Sequence, residues 1–235
     1  MATYILVHGA WHGGWCWRDV VPHLTAKGHR VFCPTLTGLG ERAHLLTKAV
    51  NLSTHIADVI GLLEAEELSD VVLVGHSYAG MVISGVAARA KPRLRQLVYL
   101  DSAVIEDGEA WSTAHTPQVQ AERRRLAETT GGLALPVPKA EVFGISDAKQ
   151  IAWVQRRLTP HPFAPYDEKM HWGCPVGNGL PKVYIDCTDP LYAGLNPVKE
   201  RYRGKPGWPF IELKTGHDAM VSNPAGTAKL LLDYA

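Results

Sequence analysis

Residues 71–80, Val-Val-Leu-Val-Gly-His-Ser-Tyr-Ala-Gly, constrain what this chain can fold into more than any other stretch. Four apolar, mostly β-branched residues specify a short strand buried on both faces. Small residues then bracket a serine, and a helix is expected to begin at about Tyr78. A strand that turns this abruptly into a helix holds the side chain at its tip in a strained, exposed position. With Ser77 at that tip, the segment has the form of a nucleophile elbow. The usual pattern is G-x-S-x-G; here Ala79 takes the last place and Gly80 follows. The departure is mild, because alanine is the next smallest side chain. An ordinary strand-to-helix loop also accommodates Gly-His-Ser-Tyr, so the rest of the chain has to decide.

Short apolar runs alternate with helical patterns along the chain. Strands are expected at Thr3–His8, Arg30–Cys33, Val71–Gly75, Gln96–Leu100, Lys182–Asp186 and Pro209–Leu213. Helices are expected at about Arg18–Lys27, Thr54–Glu66, Tyr78–Ala90, Asn196–Tyr202 and Pro224–Tyr234, the last with Asn223 as N-cap and Pro224 at its first position. This alternation specifies the α/β class, a six-stranded, mostly parallel sheet flanked by helices. A length of 235 residues suits one such domain. From about 104 to 180 no core strand is evident, and Trp, Pro, Phe and His are frequent. An interval that long is read as a helical cap inserted over the carboxyl edge of the sheet, where open parallel sheets bind ligands. Most of its aromatics pack cap against body. Trp111, Trp153 and Trp172 there, with Trp11 before it, are the candidates for lining a substrate pocket.

Charge and leader signals narrow the function classes. The net charge is +1 and the basic residues are scattered, so no nucleic-acid footprint is expected. The one run, Arg123-Arg124-Arg125, lies between Glu122 and Glu128 and reads as a solvated helix face. The N-terminus runs almost at once into an apolar strand, with no basic leader and no apolar stretch near ~18 residues. Four widely spaced cysteines, without a C-x-x-C pair, fit free thiols. A cytoplasmic protein that does not enter a membrane is the expectation.

A serine hydroxyl needs an adjacent base to become a nucleophile. His217, in Leu-Lys-Thr-Gly-His-Asp, lies between the last strand and the last helix, on the same sheet edge as the elbow. Of the other ten histidines, His76 neighbours the serine but points away from the substrate side. His8 and His12 have the spacing of a metal pair, yet they sit on a Gly-rich turn with no third ligand nearby, so no metal site is expected. The base in turn needs a carboxylate. Asp189, just past the strand Lys182–Asp186, is the favoured one. Asp101, which also ends a strand beside the elbow, is its rival, and Asp186 and Asp218 are weaker alternatives. The order Ser77, Asp189, His217 is that of the α/β-hydrolase arrangement rather than of the two main serine-protease orders. Donors for an oxyanion are expected from the amides of Tyr78 and Ala10, the latter in the turn Gly9-Ala10-Trp11-His12-Gly13-Gly14. That turn matches neither G-x-G-x-x-G nor a P-loop, which argues against nucleotide binding.

With these residues in place, the whole chain resembles the α/β-hydrolase superfamily. Its His-Gly-Ala-Trp-His-Gly-Gly-Trp turn, its elbow and its Thr-Gly-His-Asp-Ala-Met segment carry that resemblance, and its Pro-Thr-Leu-Thr-Gly-Leu-Gly-Glu-Arg segment at 34–42 looks similar to bacterial esterases close to pyrethroid-hydrolysing carboxylesterases. Plant methylesterases and hydroxynitrile lyases are the wider relatives. The resemblance implies Ser77, Asp189 and His217 as a triad, Ala10 and Tyr78 as an oxyanion hole, and no metal or organic cofactor. It also implies hydrolysis of an ester through an acyl-enzyme. The lyases differ in carrying Glu before the serine and Lys after the histidine, where this chain has His76 and Asp218, so ester hydrolysis is the expectation over lyase chemistry. A non-catalytic binding role is the remaining alternative. The aromatic-rich cap suggests an uncharged, apolar, medium-sized ester, and a homodimer is conceivable.

Overall fold

The computed structural model describes residues 1–235. One six-stranded sheet forms the centre, built from β1 (Thr3–Val7), β2 (Arg30–Phe32), β3 (Val71–His76), β4 (Leu94–Leu100), β7 (Lys182–Cys187) and β8 (Phe210–Leu213). Its order is β2-β1-β3-β4-β7-β8 and every neighbouring pair is parallel. The expected strands are therefore all present within two residues at either end. A parallel sheet needs both faces covered, and β3 is buried along its whole length, which is why it reads as an unbroken apolar run.

The helices α1 (Val21–Thr25), α2 (Leu52–Ala65), α3 (Ala79–Ala90), α7 (Asn196–Tyr202), α8 (Ala219–Ser222) and α9 (Pro224–Leu232) supply the cover. Helix α2 starts at a capping box in which the Asn51 side chain accepts from the Thr54 amide and the Thr54 hydroxyl accepts from the Asn51 amide. Asn223 caps α9 through its side chain, with Pro224 in the first turn, as the sequence suggests. The expected helix at Arg18–Lys27 is shorter than its apolar pattern. A 3₁₀ turn occupies Gly14–Trp17, and α1 spans only five residues before Gly28 takes a left-handed φ of 81°.

Between β4 and β7 the chain leaves the sheet. It forms α4 (Pro117–Glu128), α5 (Ala148–Gln155), α6 (Ala164–Asp167) and a two-stranded antiparallel ribbon of β5 (Ala134–Leu135) and β6 (His161–Pro162). The ribbon is too short for a sequence pattern of period two to announce it. This excursion is tied to the carboxyl ends of the strands at several places. The Thr159 amide donates to the Trp11 carbonyl, the Asp218 amide donates to the Phe143 carbonyl, and Glu168 accepts from Ser53 at the start of α2. No helix is long and apolar enough to cross a membrane. Strand β1 is followed by β2 on one side and β3 on the other, so the chain reverses direction across the sheet there. The crevice at such a switch point is where open parallel sheets place a ligand.

Candidate active site

Three residues with left-handed backbone stand at that crevice: Trp11 after β1 (φ 65°), Ser77 after β3 (φ 53°) and Asp101 after β4 (φ 42°). For side chains other than glycine each such conformation costs on the order of 1–3 kcal/mol, and it persists only where the surroundings impose it. They do so here. The Ser77 amide donates to the Leu100 carbonyl at 3.2 Å, and the Ser77 carbonyl accepts from Ala103 at 2.9 Å. A Cβ on Gly80 would collide with the Ala103 carbonyl and the Ser102 side chain, so α3 can approach the end of β4 only with glycine at that point. A Cβ on Gly9 would lie 2.8 Å from the Ser77 Cβ, which packs the β1 turn directly against the elbow.

The Ser77 hydroxyl is partly exposed and donates to His217 Nε2 at 2.9 Å. The opposite ring nitrogen, His217 Nδ1, donates to Asp101 Oδ2 at 2.6 Å. This corrects the expectation of Asp189. The β7–β8 ladder continues past the last strand residues, with Thr188 donating to Leu213 and Asp189 to Thr215. That continuation leaves the Asp189 side chain exposed, in a surface groove with Lys214, Thr215 and Gly216. Asp101 follows β4, which lies beside β3, and its left-handed φ turns the carboxylate inward beneath the loop that carries His217. The chain order of serine, acid and histidine is unchanged by the correction. Asp186, buried late in β7, faces α7 and pairs with Lys199 at 2.7 Å and with Arg203.

Asp101 is completely buried. Burial raises its pKa, but the bonds from His217 and Lys199 outweigh this and hold the carboxyl below its usual range. Lys199 Nζ lies 2.7 Å from Asp101 Oδ1, and the Cys187 amide donates to the same oxygen at 3.3 Å. The carboxylate is thus fixed from behind by a buried ammonium while its other oxygen faces the imidazole. This lysine was not singled out from the sequence: a lysine in a seven-residue surface-type helix carries no local sign of burial.

A second set of contacts fixes the imidazole from the other side. His76 Nε2 donates to the His217 carbonyl at 2.9 Å, and burial pushes the His76 pKa down to about 3, so the ring is a neutral strut. The Tyr192 ring stacks on His217, with centroids 4.1 Å apart. Asp218 is buried and accepts from His12 Nε2 at 2.9 Å, the other His12 nitrogen donating to the Ala10 carbonyl. Burial opposes charge on both partners, yet their attraction prevails, raising His12 and lowering Asp218. His8 donates to the Gly9 carbonyl and accepts from the Leu36 amide. The His8/His12 spacing therefore serves the β1 turn: all four ring nitrogens already have protein partners.

The amides of Ala10 and Tyr78 donate to no protein acceptor, and both residues are buried beside Ser77. The Tyr78 side chain turns away beneath the excursion and its hydroxyl donates to His55 Nδ1 at 2.8 Å.

A cavity of about 650 Å³ opens beside His217. Trp11, Phe143 and Tyr192 form its inner wall, and both Phe143 and Tyr192 pack against the His217 ring. Of the four expected pocket tryptophans only Trp11 lines it. Trp111 is buried one layer back against Tyr78 and His161. Trp153 lies on the outer face against Trp15, Arg18 and Arg157. Trp172 is a core residue whose indole donates to the Ile105 carbonyl. Aromatic content placed them in the right segment, but which side of the excursion each faces depends on its packing. The arginine run is also corrected. Arg124 and Arg125 are exposed and paired with Asp167 and Glu122, whereas Arg123 turns inward and lines the cavity.

Residues 4–230 match the model of the alpha/beta hydrolase family. The chain is 44% identical over 242 residues to a carbendazim hydrolyzing esterase of Nocardioides sp., covering 98% of each chain. It is 27% identical to a pyrethroid hydrolase of Sphingobium wenxiniae, covering 98% of this chain and 86% of that one. An extracellular alpha/beta-hydrolase from a Paenibacillus species superposes with a TM-score of 0.87 at 22% identity, covering 99% and 98% of the two chains, a likeness of fold.

Proposed function

The chain belongs to the alpha/beta hydrolase family, and we propose that it is a serine esterase that cleaves carboxylic-type esters through an acyl-enzyme. The observation that carries this reading is the continuous relay from Ser77 Oγ to His217 Nε2 (2.9 Å) and from His217 Nδ1 to Asp101 Oδ2 (2.6 Å). Relatives named as a carbendazim hydrolyzing esterase and a pyrethroid hydrolase support the same reaction class.

In this reading Ser77 Oγ attacks the ester carbonyl while His217 Nε2 takes its proton. The imidazolium is stabilised by Asp101, which stays ionised and holds the Nδ1–H tautomer. The oxygen that gains charge sits between the free amides of Ala10 and Tyr78, donors already in position before the reaction begins. His217 then hands its proton to the leaving alkoxide. A water, deprotonated by the same nitrogen, cleaves the Ser77 acyl ester and frees the acid. The cavity is largely apolar and of a size for a medium-sized ester.

The test is hydrolysis of p-nitrophenyl esters from acetate to octanoate by wild type and Ser77→Ala, with mandelonitrile as the lyase control. Ester turnover is expected, with kcat lost in Ser77→Ala by a factor on the order of 10⁶. Turnover surviving in Ser77→Ala, or cleavage of mandelonitrile but of no ester, overturns the proposal. Stoichiometric labelling of Ser77 by an organophosphate without turnover points instead to a binding protein.

A further inference from the structure

Arg123 lies on α4, at helical spacing from Gln120 and Ala127, and lines the cavity together with Phe143 and Tyr192, the two rings that pack on His217. It sits over three rings, 4.8 Å from the Trp111 centroid, 5.4 Å from Tyr166 and 5.9 Å from Trp11. These rings satisfy part of its charge. They accept no ordinary hydrogen bond, and the guanidinium makes none with the protein: Nη1 is buried without an acceptor. Glu122 is the one acid lining the cavity, and it is engaged by Arg125 at 2.7 Å. His161 packs on the same Trp111, and its two buried ring nitrogens make no bond either. A largely apolar cavity wall, with Leu126, Leu135 and Phe143 beside it, thus carries one cationic donor with no protein acceptor.

We infer that Arg123 is a specificity-determining residue that donates to an acceptor oxygen on the substrate, a second polar atom in addition to the scissile ester. The inference rests on the esterase reading and refines it. An ester filling this cavity with hydrocarbon alone leaves the guanidinium desolvated and unpaired. One that places a carbonyl or carboxylate oxygen there completes it. Such a charge-assisted bond separates matched substrates by roughly 10- to 100-fold.

Two matched ester series test this. Methyl hexanoate, methyl 5-oxohexanoate and monomethyl adipate vary the acyl side; hexyl acetate and 5-oxohexyl acetate vary the alcohol side. Hydrolysis is followed by acid release in wild type, Arg123→Met and Arg123→Lys. The expected result is that, in at least one series, the acceptor-bearing ester exceeds its apolar partner in kcat/KM by about 10-fold or more. That ratio collapses towards one in Arg123→Met and lies between in Arg123→Lys. A gain for the keto ester assigns a neutral acceptor, and a gain for the adipate alone assigns an anion. Ratios near one in both series, or an undiminished ratio in Arg123→Met, overturn the inference. Dissociation constants of the same esters for Ser77→Ala and Ser77→Ala/Arg123→Met, read from tryptophan fluorescence, keep the two readings apart. They report the preference even if no ester is turned over, and the Arg123→Lys ratios decide if the methionine variants do not fold.

Discussion

Acidification from pH 7.5 to 5.0 should remove about 6 kcal/mol of folding stability through three fully buried histidines held in the neutral form, His8, His55 and His76; a fourth, His161, is pushed well down by burial and acts in the same direction. Burial pushes His8 and His76 down to about 3 and His55 down to about 4. Each has its hydrogen bonds arranged for one tautomer: His8 between the Gly9 carbonyl and the Leu36 amide, His55 between the Thr37 carbonyl and the Tyr78 hydroxyl, His76 on the His217 carbonyl. In the unfolded chain these rings take up a proton near the ordinary value of about 6.5. Below that pH the unfolded state binds more protons than the folded one, so stability falls as pH falls, down to the folded pKa values. At pH 5.0 this amounts to about 2 kcal/mol for each ring, or about 6 kcal/mol for the three. His12 has the opposite sign. Burial opposes its charge, but Asp218 raises its folded pKa, so protonation there favours the folded state and offsets part of the loss. The expected loss is comparable with the whole stability of a typical domain, about 5–15 kcal/mol. Urea unfolding at pH 7.5, 6.5, 5.5 and 5.0, followed by the fluorescence of the seven tryptophans, measures it. The midpoint should fall by about 2 M across the range, taking an m-value of about 2–3 kcal/mol/M. His55→Gln should be less stable at neutral pH but should flatten the pH dependence by about 2 kcal/mol. A midpoint that is level from pH 7.5 to 5.0, or a His55→Gln curve as steep as that of wild type, refutes the reasoning.

Two further outcomes concern the acid behind the imidazole. Asp101→Asn should lower kcat on p-nitrophenyl acetate by about 10⁴-fold, because the amide no longer fixes the Nδ1–H tautomer, while Asp189→Asn should stay within about twofold of wild type. The reverse ranking would restore Asp189 as the acid. Lys199→Met leaves the carboxylates of Asp101 and Asp186 buried without their shared cation. A loss of about 3–5 kcal/mol is expected, seen as a melting temperature lower by roughly 6–20 °C. A melting temperature within 2 °C of wild type would show that the ammonium is dispensable.

Local sequence was enough for Ser77 and His217. Each is held by short-range features that a linear reading registers: an apolar run ending in small residues for the elbow, and a strand–glycine–histidine–helix sequence for the base. The six strands were legible for the same reason, since a strand buried on both faces must be apolar throughout, as β3 is. The amides of Ala10 and Tyr78 follow from their places in the turn after β1 and in the elbow. The acid was not decided locally. Asp101 and Asp189 both follow strand ends, and they differ in that one takes a left-handed turn inward while the other extends a ladder to the sheet's outer edge. That difference lies in the register between strands far apart in the chain. Lys199, Arg123 and the pocket tryptophans belong to the same class. A lysine can face solvent or two buried carboxylates, and three consecutive arginines on a helix point in three directions about 100° apart. Residue type and spacing thus determined the fold and the places of Ser77 and His217. Which acid faces the imidazole, and which arginine lines the cavity, was decided only when distant elements packed together and turned particular side chains inward.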